Sequence, residues 1–216
     1  MVVRIICLLT GYVFGLFQTG YIYSKKHNFD IRNHGSGNAG ATNVLRTMGL
    51  KAGAITFFGD AFKCIFAVLL VKAVFKSSHS DILPLLALYT GFGAVLGHNY
   101  PFYMKFKGGK GIAVTAGMIV STDWRLTLVC LVIFVGSVLL TRYVSLGSLL
   151  ISVAFLAGVV SLGQAGAFGM APNHLIEMYV VTLLFTISAF VRHRANIRRL
   201  LNGTENKISF GKKEGK

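Results

Sequence analysis

Long apolar stretches, hydrophobic all round rather than on one face, alternate along this chain with short polar segments rich in glycine and basic residues. Seven such stretches recur: Val3–Tyr23, Ala52–Val71, Ile82–Leu96, Ile112–Ser121, Leu126–Leu140, Tyr143–Leu162 and Met178–Val191. A helix that is apolar on every side is buried in a large core or spans a membrane. At ~1.5 Å per residue, a perpendicular span of hydrocarbon needs ~20 residues, so the third, fourth and fifth stretches are short and the fourth is the weakest. The pattern predicts an all-α polytopic membrane protein of about seven transmembrane helices. Val3–Tyr23 carries one charge, Arg4, over 21 residues, which is longer than a signal-peptide core. It reads as a retained first span. From Tyr143 to Ile176 no acidic residue, Lys or Arg occurs for 34 residues, too long for one helix. Gly163, Gly166, Gly169 and Pro172 supply the break.

Composition sharpens this picture. Of 216 residues 54% are hydrophobic and only 13% charged, and 22 Lys and Arg face 7 Asp and Glu, a formal net charge of +15. An ordinary soluble domain has roughly a quarter of its residues charged, and a disordered polycation is far less apolar. Basic residues concentrate between the first two spans (Lys25, Lys26, Arg32, Arg46, Lys51), between the third and fourth (Lys105, Lys107, Lys110), at Arg142, and after the last span. These positions hold 17 of the 22 cations, and the positive-inside rule puts them on the cytoplasmic face. Arg4, Lys72, Lys76 and Arg125 then lie near the outer ends, the N-terminus outside and the C-terminus inside. Residues 1–207 read as one integral membrane domain and 208–216 as a basic cytoplasmic tail. The cations sit against spans rather than on a free patch, so no nucleic-acid role follows. Cys7, Cys64 and Cys130 lie in apolar stretches without CxxC spacing, as small core hydrophobes do.

Each basic segment also carries a dense polar run. The first reads GSGNAGATNVLR, Gly35 to Arg46. Gly35 and Gly37 permit tight backbone close to a ligand, and Ser36, Asn38, Thr42 and Asn43 offer hydroxyls and amides. Arg46 adds a fork suited to phosphate oxygens. A phosphate cradle and a flexible polar connector both fit this composition. The second, GHNYPFYMKFKGGKG, Gly97 to Gly111, sets Lys110 between Gly108, Gly109 and Gly111 at a helix start, where anions are favoured. It is not a Walker A loop, because Met104 stands at the first glycine position and Gly111 where Ser or Thr follows GK. Its aromatic residues and lysines also suit a membrane-surface anchor. His98 is either a proton carrier or a hydrogen-bonded core residue.

The third, RHRANIRRLLNGTENK, Arg192 to Lys207, serves as the basic cap of the last span, yet His193, Asn196 and Glu205 exceed that task. On a continuing helix His193 and Asn196 share one face. Asp60 and Lys63 stand mid-span at i, i+3, where charge is costly unless paired or beside a polar cavity. Arg142, Ser145 and Ser148, in RYVSLGS, mark the cytoplasmic end of the sixth stretch. No cluster of ligating side chains suggests a metal.

In these three ordered motifs, with the AspxxLys and RYVSLGS elements between them, the chain resembles the bacterial membrane acyl-phosphate:glycerol-3-phosphate acyltransferases over nearly its whole length. Ile112, Ala113 and Val114 depart from a V-A-T run common after GGKG in that family. The resemblance implies transfer of a fatty acyl group from acyl phosphate to the 1-hydroxyl of sn-glycerol 3-phosphate, giving lysophosphatidic acid and phosphate, without cofactor or metal. It implies an enzyme of phospholipid biosynthesis in the bacterial inner (plasma) membrane, its site built from cytoplasmic loops, with membrane lipid around it and no obligate protein partner. Ser36, Arg46, Lys110 and His193 are the expected catalytic set. Gly35, Gly37, Asn38, Thr42, Asn43, His98, Gly108, Gly109, Gly111, Ser145 and Asn196 are expected to bind substrate, and Asp60, Lys63, Arg142, Ser148 and Glu205 to support them. None of the six histidines has Asp five positions on, as thioester-using acyltransferases generally do. A phosphate oxygen of the donor is therefore the expected proton acceptor. A transporter of phosphorylated metabolites would share the spans and basic loops but calls for an internal repeat. A lipid-binding scaffold leaves the Ser, Asn and His pattern without purpose.

Overall fold

The computed structural model describes residues 1–208; residues 209–216 of the expected tail lie outside them. Ten α-helices are described: α1 (Val2–Gly15), α2 (Thr19–Lys26), α3 (Ala41–Met48), α4 (Leu50–Phe75), α5 (Leu83–Asn99), α6 (Ile112–Thr122), α7 (Trp124–Thr141), α8 (Val144–Gln164), α9 (Pro172–Arg192) and α10 (Arg194–Leu201). Six segments are long and apolar enough to cross a membrane: Val2–Lys26, Leu50–Phe75, Ser80–Met104, Trp124–Thr141, Val144–Gln164 and Pro172–Arg192. The fourth expected span is α6, with 11 residues, about 16 Å of helix against ~30 Å of hydrocarbon. It lies between neighbours that shield it. Gly117 lets it close on Ala61 of α4, where a Cβ would stand 2.3 Å from the Ala61 carbonyl oxygen. At its far end Lys72 of α4 donates to the Ser121 carbonyl at 2.7 Å.

The first expected span departs from a single helix. It breaks at Leu16–Gln18, and side chains from elsewhere in the fold, together with Gln18 itself, donate to the carbonyls that the break exposes. Tyr103 donates to Leu16 O at 2.7 Å, Lys63 to Phe17 O at 2.5 Å, and the Gln18 amide to Gly15 O at 3.3 Å. Backbone groups left unpaired in a membrane interior are costly, so a break persists only where such partners exist. Between α8 and α9 the turn uses positive φ at Gly166 and Gly169, and Pro172 opens α9, as the glycine cluster predicts.

Packing converges on α5, most of whose residues are buried. It meets α1 through two pairs of glycines spaced four apart: a Cβ on Gly11 or Gly15 would stand 1.9 or 2.3 Å from the Thr90 or Ala94 carbonyl oxygen. One on Gly93 or Gly97 would stand 2.1 Å from that of Leu8 or Tyr12. Backbone therefore rests on backbone, the small-xxx-small contact of membrane helices. The core includes Cys7 and Cys64, Leu85, Leu88, Val114, Phe155, Met178 and Phe185, and all three cysteines are free and buried. At the N-terminal end of this bundle Arg4 of α1 pairs with Glu177 of α9 at 2.5 Å, and the Tyr89 hydroxyl joins them at 2.8 Å.

Candidate functional site

The first polar segment folds as a turn closed on one side chain. The amide of Ser36 donates to Asn43 Oδ1 at 2.9 Å, and Asn43 Nδ2 donates to the carbonyls of Asn38 and His34 at 2.9 and 3.0 Å. Gly35 has φ +59°, and a Cβ there would stand 2.3 Å from Asn43 Oδ1, so the backbone wraps Asn43 only as glycine. Gly37, at φ +68°, completes the turn. The Asn43 amide is thus committed to shaping the loop. Helix α3 then starts after Gly40; Ser36 and Asn38 of the turn and Thr42 and Arg46 of the helix line a cavity.

The GGKG segment folds back on the end of α5. Gly108 and Gly109 donate to the Asn99 and His98 carbonyls at 3.2 and 3.1 Å. Their own carbonyls accept from the Arg192 guanidinium at 3.1 and 2.5 Å. A Cβ on Gly109 would fall 2.0 Å from His98 Nε2, so the imidazole occupies the space that a side chain would need. Gly111, at φ +77°, turns the chain into α6. Lys110 Nζ donates to Asn196 Oδ1.

Across the cavity stands the third segment. His193 ends α9, and its Nδ1 lies 2.8 Å from the Ala189 carbonyl. A carbonyl only accepts, so Nδ1 carries the proton and Nε2 offers a lone pair. Asn196 Nδ2 donates to Glu205 at 2.9 Å, and Arg199 Nε pairs with the same carboxylate at 2.9 Å. Ser145 Oγ is buried with no hydrogen-bond partner among the described residues, whereas Ser148 Oγ is spent on the Val144 carbonyl at 2.8 Å.

These groups enclose one cavity of about 400 Å³. Ser36, Asn38, Thr42, Asn43, Arg46, Asp60, His98, Lys110, Gly111, Ser145, Ser148, His193, Asn196 and Glu205 all line it, as does Arg199. Gly35, Gly37, Gly108 and Gly109 shape its loops without lining it. Lys63 lies behind Asp60 at 2.8 Å. Arg142, at φ +61°, ends α7, and its carbonyl accepts from Ile208 N at 2.8 Å. Arg199 was absent from the expected site, although it continues the i, i+3 face of His193 and Asn196 by one more turn.

Four helix N-termini converge here. Gly40 and Ala41 of α3, Gly111 and Ile112 of α6, Val144 and Ser145 of α8, and His193 of α10 all line the cavity, and no side chain caps any of these helices. Their first amides are unsatisfied within the helix, and their dipoles favour an anion. The sequence pointed to one of the four, that of α6 after Gly111. Burial presses on the charges gathered among them: it drives the Lys110 ammonium down to about 8, with Arg199 adding repulsion. The buried His193 imidazole falls to about 4, chiefly through desolvation, and is neutral near pH 7. On its apolar side the cavity adjoins a groove of about 290 Å³ between α4, α6 and α7, and the two share Phe57, Phe58, Ile112 and Phe134. Among the described residues no group of three or more His, Cys, Asp or Glu is placed to hold a metal ion.

Comparison with known proteins accords with this arrangement. A family model described as glycerol-3-phosphate acyltransferase matches residues 5–203. A glycerol-3-phosphate acyltransferase of Clostridioides difficile is 43% identical over 206 residues, covering 94% of this chain and 95% of the relative. One from Chlorobium limicola is 34% identical, covering 98% and 99%. The crystal structure of PlsY, an integral membrane glycerol 3-phosphate acyltransferase, in its glycerol 3-phosphate form superposes with a TM-score of 0.79 at 33% identity, covering 95% of this chain and 96% of that one. Its lysophosphatidic acid form gives 0.77 at 32%. A multi-pass membrane protein with this motif order, this fold and these relatives has one assignment: the chain belongs to the glycerol-3-phosphate acyltransferase family.

Proposed function

We propose that the protein transfers a fatty acyl group from acyl phosphate to the 1-hydroxyl of sn-glycerol 3-phosphate, releasing lysophosphatidic acid and inorganic phosphate. The observation that carries this reading is the junction of a cavity ringed by Arg46, Lys110, Arg199 and four helix N-termini with an apolar groove. One ligand with a phosphate head and a long tail, and a second with phosphate and hydroxyls, suit that junction. The groove opens beside Ile112, so the donor's head falls at Gly111 and the first amides of α6, its phosphate against Lys110. The acceptor then takes the side of Ser145, His193 and Asn196, with Ser36 and Arg46 closing the opposite wall.

An acyl phosphate is an activated mixed anhydride, so alignment and charge neutralisation suffice for a large acceleration. The His193 Nε2 lone pair accepts from the acceptor hydroxyl and aims its oxygen at the acyl carbon. An imidazole whose conjugate acid lies at about 4 holds a proton poorly. The departing phosphate is the better final acceptor. Residues 1–207 act as one membrane domain of the bacterial inner membrane, with the N-terminus outside and the cavity facing the cytoplasm, where both phosphorylated substrates occur.

The test is a reaction of purified protein, in detergent or lipidic cubic phase, with palmitoyl phosphate and glycerol 3-phosphate, following phosphate and lysophosphatidic acid together. Stoichiometric formation of both, lost in Lys110→Ala and absent with acyl-CoA, is the expected result. Turnover of acyl-CoA at a comparable rate overturns the donor assignment.

A further inference from the structure

Beneath the cavity lies a charged group to which the reaction as drawn gives no task. Lys63 and Asp60 of α4 are buried, their side chains 5% and 1% exposed, in the middle of an apolar helix. Such a pair carries a desolvation cost that packing alone does not require. Lys63 Nζ donates to the Phe17 carbonyl, freed by the helix break, at 2.5 Å and to Asp60 Oδ1 at 2.8 Å, and it lies 2.9 Å from His98 Nδ1. Three acceptors thus match the three protons of an ammonium, which has no lone pair to offer. Asp60 Oδ1, which also takes the Thr19 hydroxyl at 2.9 Å, is 3.8 Å from the same Nδ1. The nearer charge to the ring is therefore the ammonium. His98 Nδ1 must be the unprotonated nitrogen, and the ring proton resides on Nε2.

That nitrogen points away from the ion pair, past the Gly109 backbone, on a ring that lines the cavity, and it makes no hydrogen bond to the protein among the described residues. His193 has the opposite tautomer, fixed by Ala189. One imidazole thus offers the cavity an N–H and the other a lone pair.

We propose that Lys63, anchored by Asp60 and Phe17, fixes His98 as a neutral imidazole whose Nε2–H donates a hydrogen bond to an oxygen of the acyl-phosphate head. His98 is then a catalytic residue acting as a donor, and Lys63 a positioning residue acting through it. This rests on the acyl-phosphate reading above. In the step, the acceptor hydroxyl oxygen forms the new ester bond to the acyl carbon. The bond from that carbon to the bridging oxygen breaks with its electron pair going to phosphate, and the hydroxyl proton passes to phosphate. The His98 proton stays on Nε2 throughout and stabilises charge as it develops.

The test joins spectroscopy to kinetics on the full chain in micelles. With ¹⁵N-histidine label and His98→Gln to assign the signal, the expected spectrum shows His98 protonated on Nε2 and bare on Nδ1. In Lys63→Met the two tautomers mix. Because that change leaves Asp60 unpaired, the double variant Asp60→Asn with Lys63→Met is measured beside it and gives the same mixing. His98→Ala lowers kcat about 10²-fold, the scale of one lost donor, while His98→Gln, which restores an N–H near Nε2, recovers to within about tenfold of wild type. A loss confined to kcat places the bond on the carbonyl oxygen, and weaker inhibition by inorganic phosphate places it on the phosphoryl group. A proton on Nδ1 in the wild type, or His98→Ala with unchanged kcat and KM, overturns the proposal. A wild type that shows the Nε2–H ring but releases no phosphate from palmitoyl phosphate overturns the donor reading, and with it the ligand assigned to Nε2.

Discussion

Lys110 sits where burial and the guanidinium of Arg199 both oppose its charge, and its ammonium titrates at about 8 rather than 10.5. On the proposed reading the charged form binds phosphate, so affinity is full below that value and is lost as pH rises through it. The free-enzyme profile of kcat/KM is thus expected to fall above about pH 8, well clear of the second ionisation of a phosphate monoester near 6. Lys110→Arg, if it retains turnover, removes that alkaline limb, because a guanidinium stays charged. Initial rates from pH 6 to 10 check both. Gly109 gives a second prediction at this scale. A methyl there would fall 2.0 Å from His98 Nε2, so Gly109→Ala displaces the imidazole or the loop, with a fall in kcat of about 10²-fold and little change in folded yield. The residue types of the site were legible because an anion demands Arg, Lys, amides and hydroxyls. Their tasks were not: Asn43 reads as a ligand by type, and only the closed turn reveals that its amide holds the loop. Arg199 was hidden among anchoring cations, since charge alone does not tell a cation facing the cavity from one facing lipid.

Between elements, the tightest contact is that of α1 with α5, where Gly11, Gly15, Gly93 and Gly97 let the two backbones touch. In lipid there is little hydrophobic force to hold helices together, so such close approach carries the association. Gly93→Leu is expected to force the helices apart at a cost of about 3 kcal/mol, seen as a lower midpoint of thermal unfolding in detergent. Gly136→Ala is the matched control. Its Cβ meets nothing within 4 Å, so the change leaves stability level or slightly raised by helix propensity. The spacing of these glycines stood in the sequence, yet glycine is common in apolar helices, and spacing alone does not say which faces meet. The break at Leu16–Gln18 was less legible still. No proline marks it, and it persists because its carbonyls accept from Lys63 and Tyr103, far along the chain, as well as from the local Gln18 amide. Helix existence follows from local hydropathy, whereas a mid-membrane break depends on tertiary partners that hydropathy does not encode.

On the scale of the whole molecule, the three basic segments close around one cavity at one end of the bundle, as loop charge led one to expect. For them to share a side of the membrane, an even number of crossings must separate each pair, and that parity depends on α6. Its 11 residues start after Gly111, which packs against Asn99 at the cavity end of α5, and end at Thr122, next to Ser121, whose carbonyl accepts from Lys72 near the far end of α4. A crossing by eleven residues requires Lys72 and the polar turn at Asp123 and Arg125 to bring the aqueous boundary inward, as snorkelling cations do beside a locally thin bilayer. Single cysteines test this directly, because the native three are buried and silent to a charged reagent. Ser78→Cys and Arg125→Cys, at exposed positions before α5 and after α6, are expected to react with a membrane-impermeant maleimide on intact spheroplasts. Lys105→Cys and Thr204→Cys, also exposed, react only after the membrane is opened. Arg125→Cys reacting only after the membrane is opened, with Thr204→Cys reacting on intact spheroplasts, would make α6 a re-entrant helix. α7, α8 and α9 would then return the third segment to the opposite face, which contradicts the shared cavity and would overturn the site as drawn. The full pattern instead places both phosphorylated ligands on the cytoplasmic side, where Lys110 meets them at near-neutral pH.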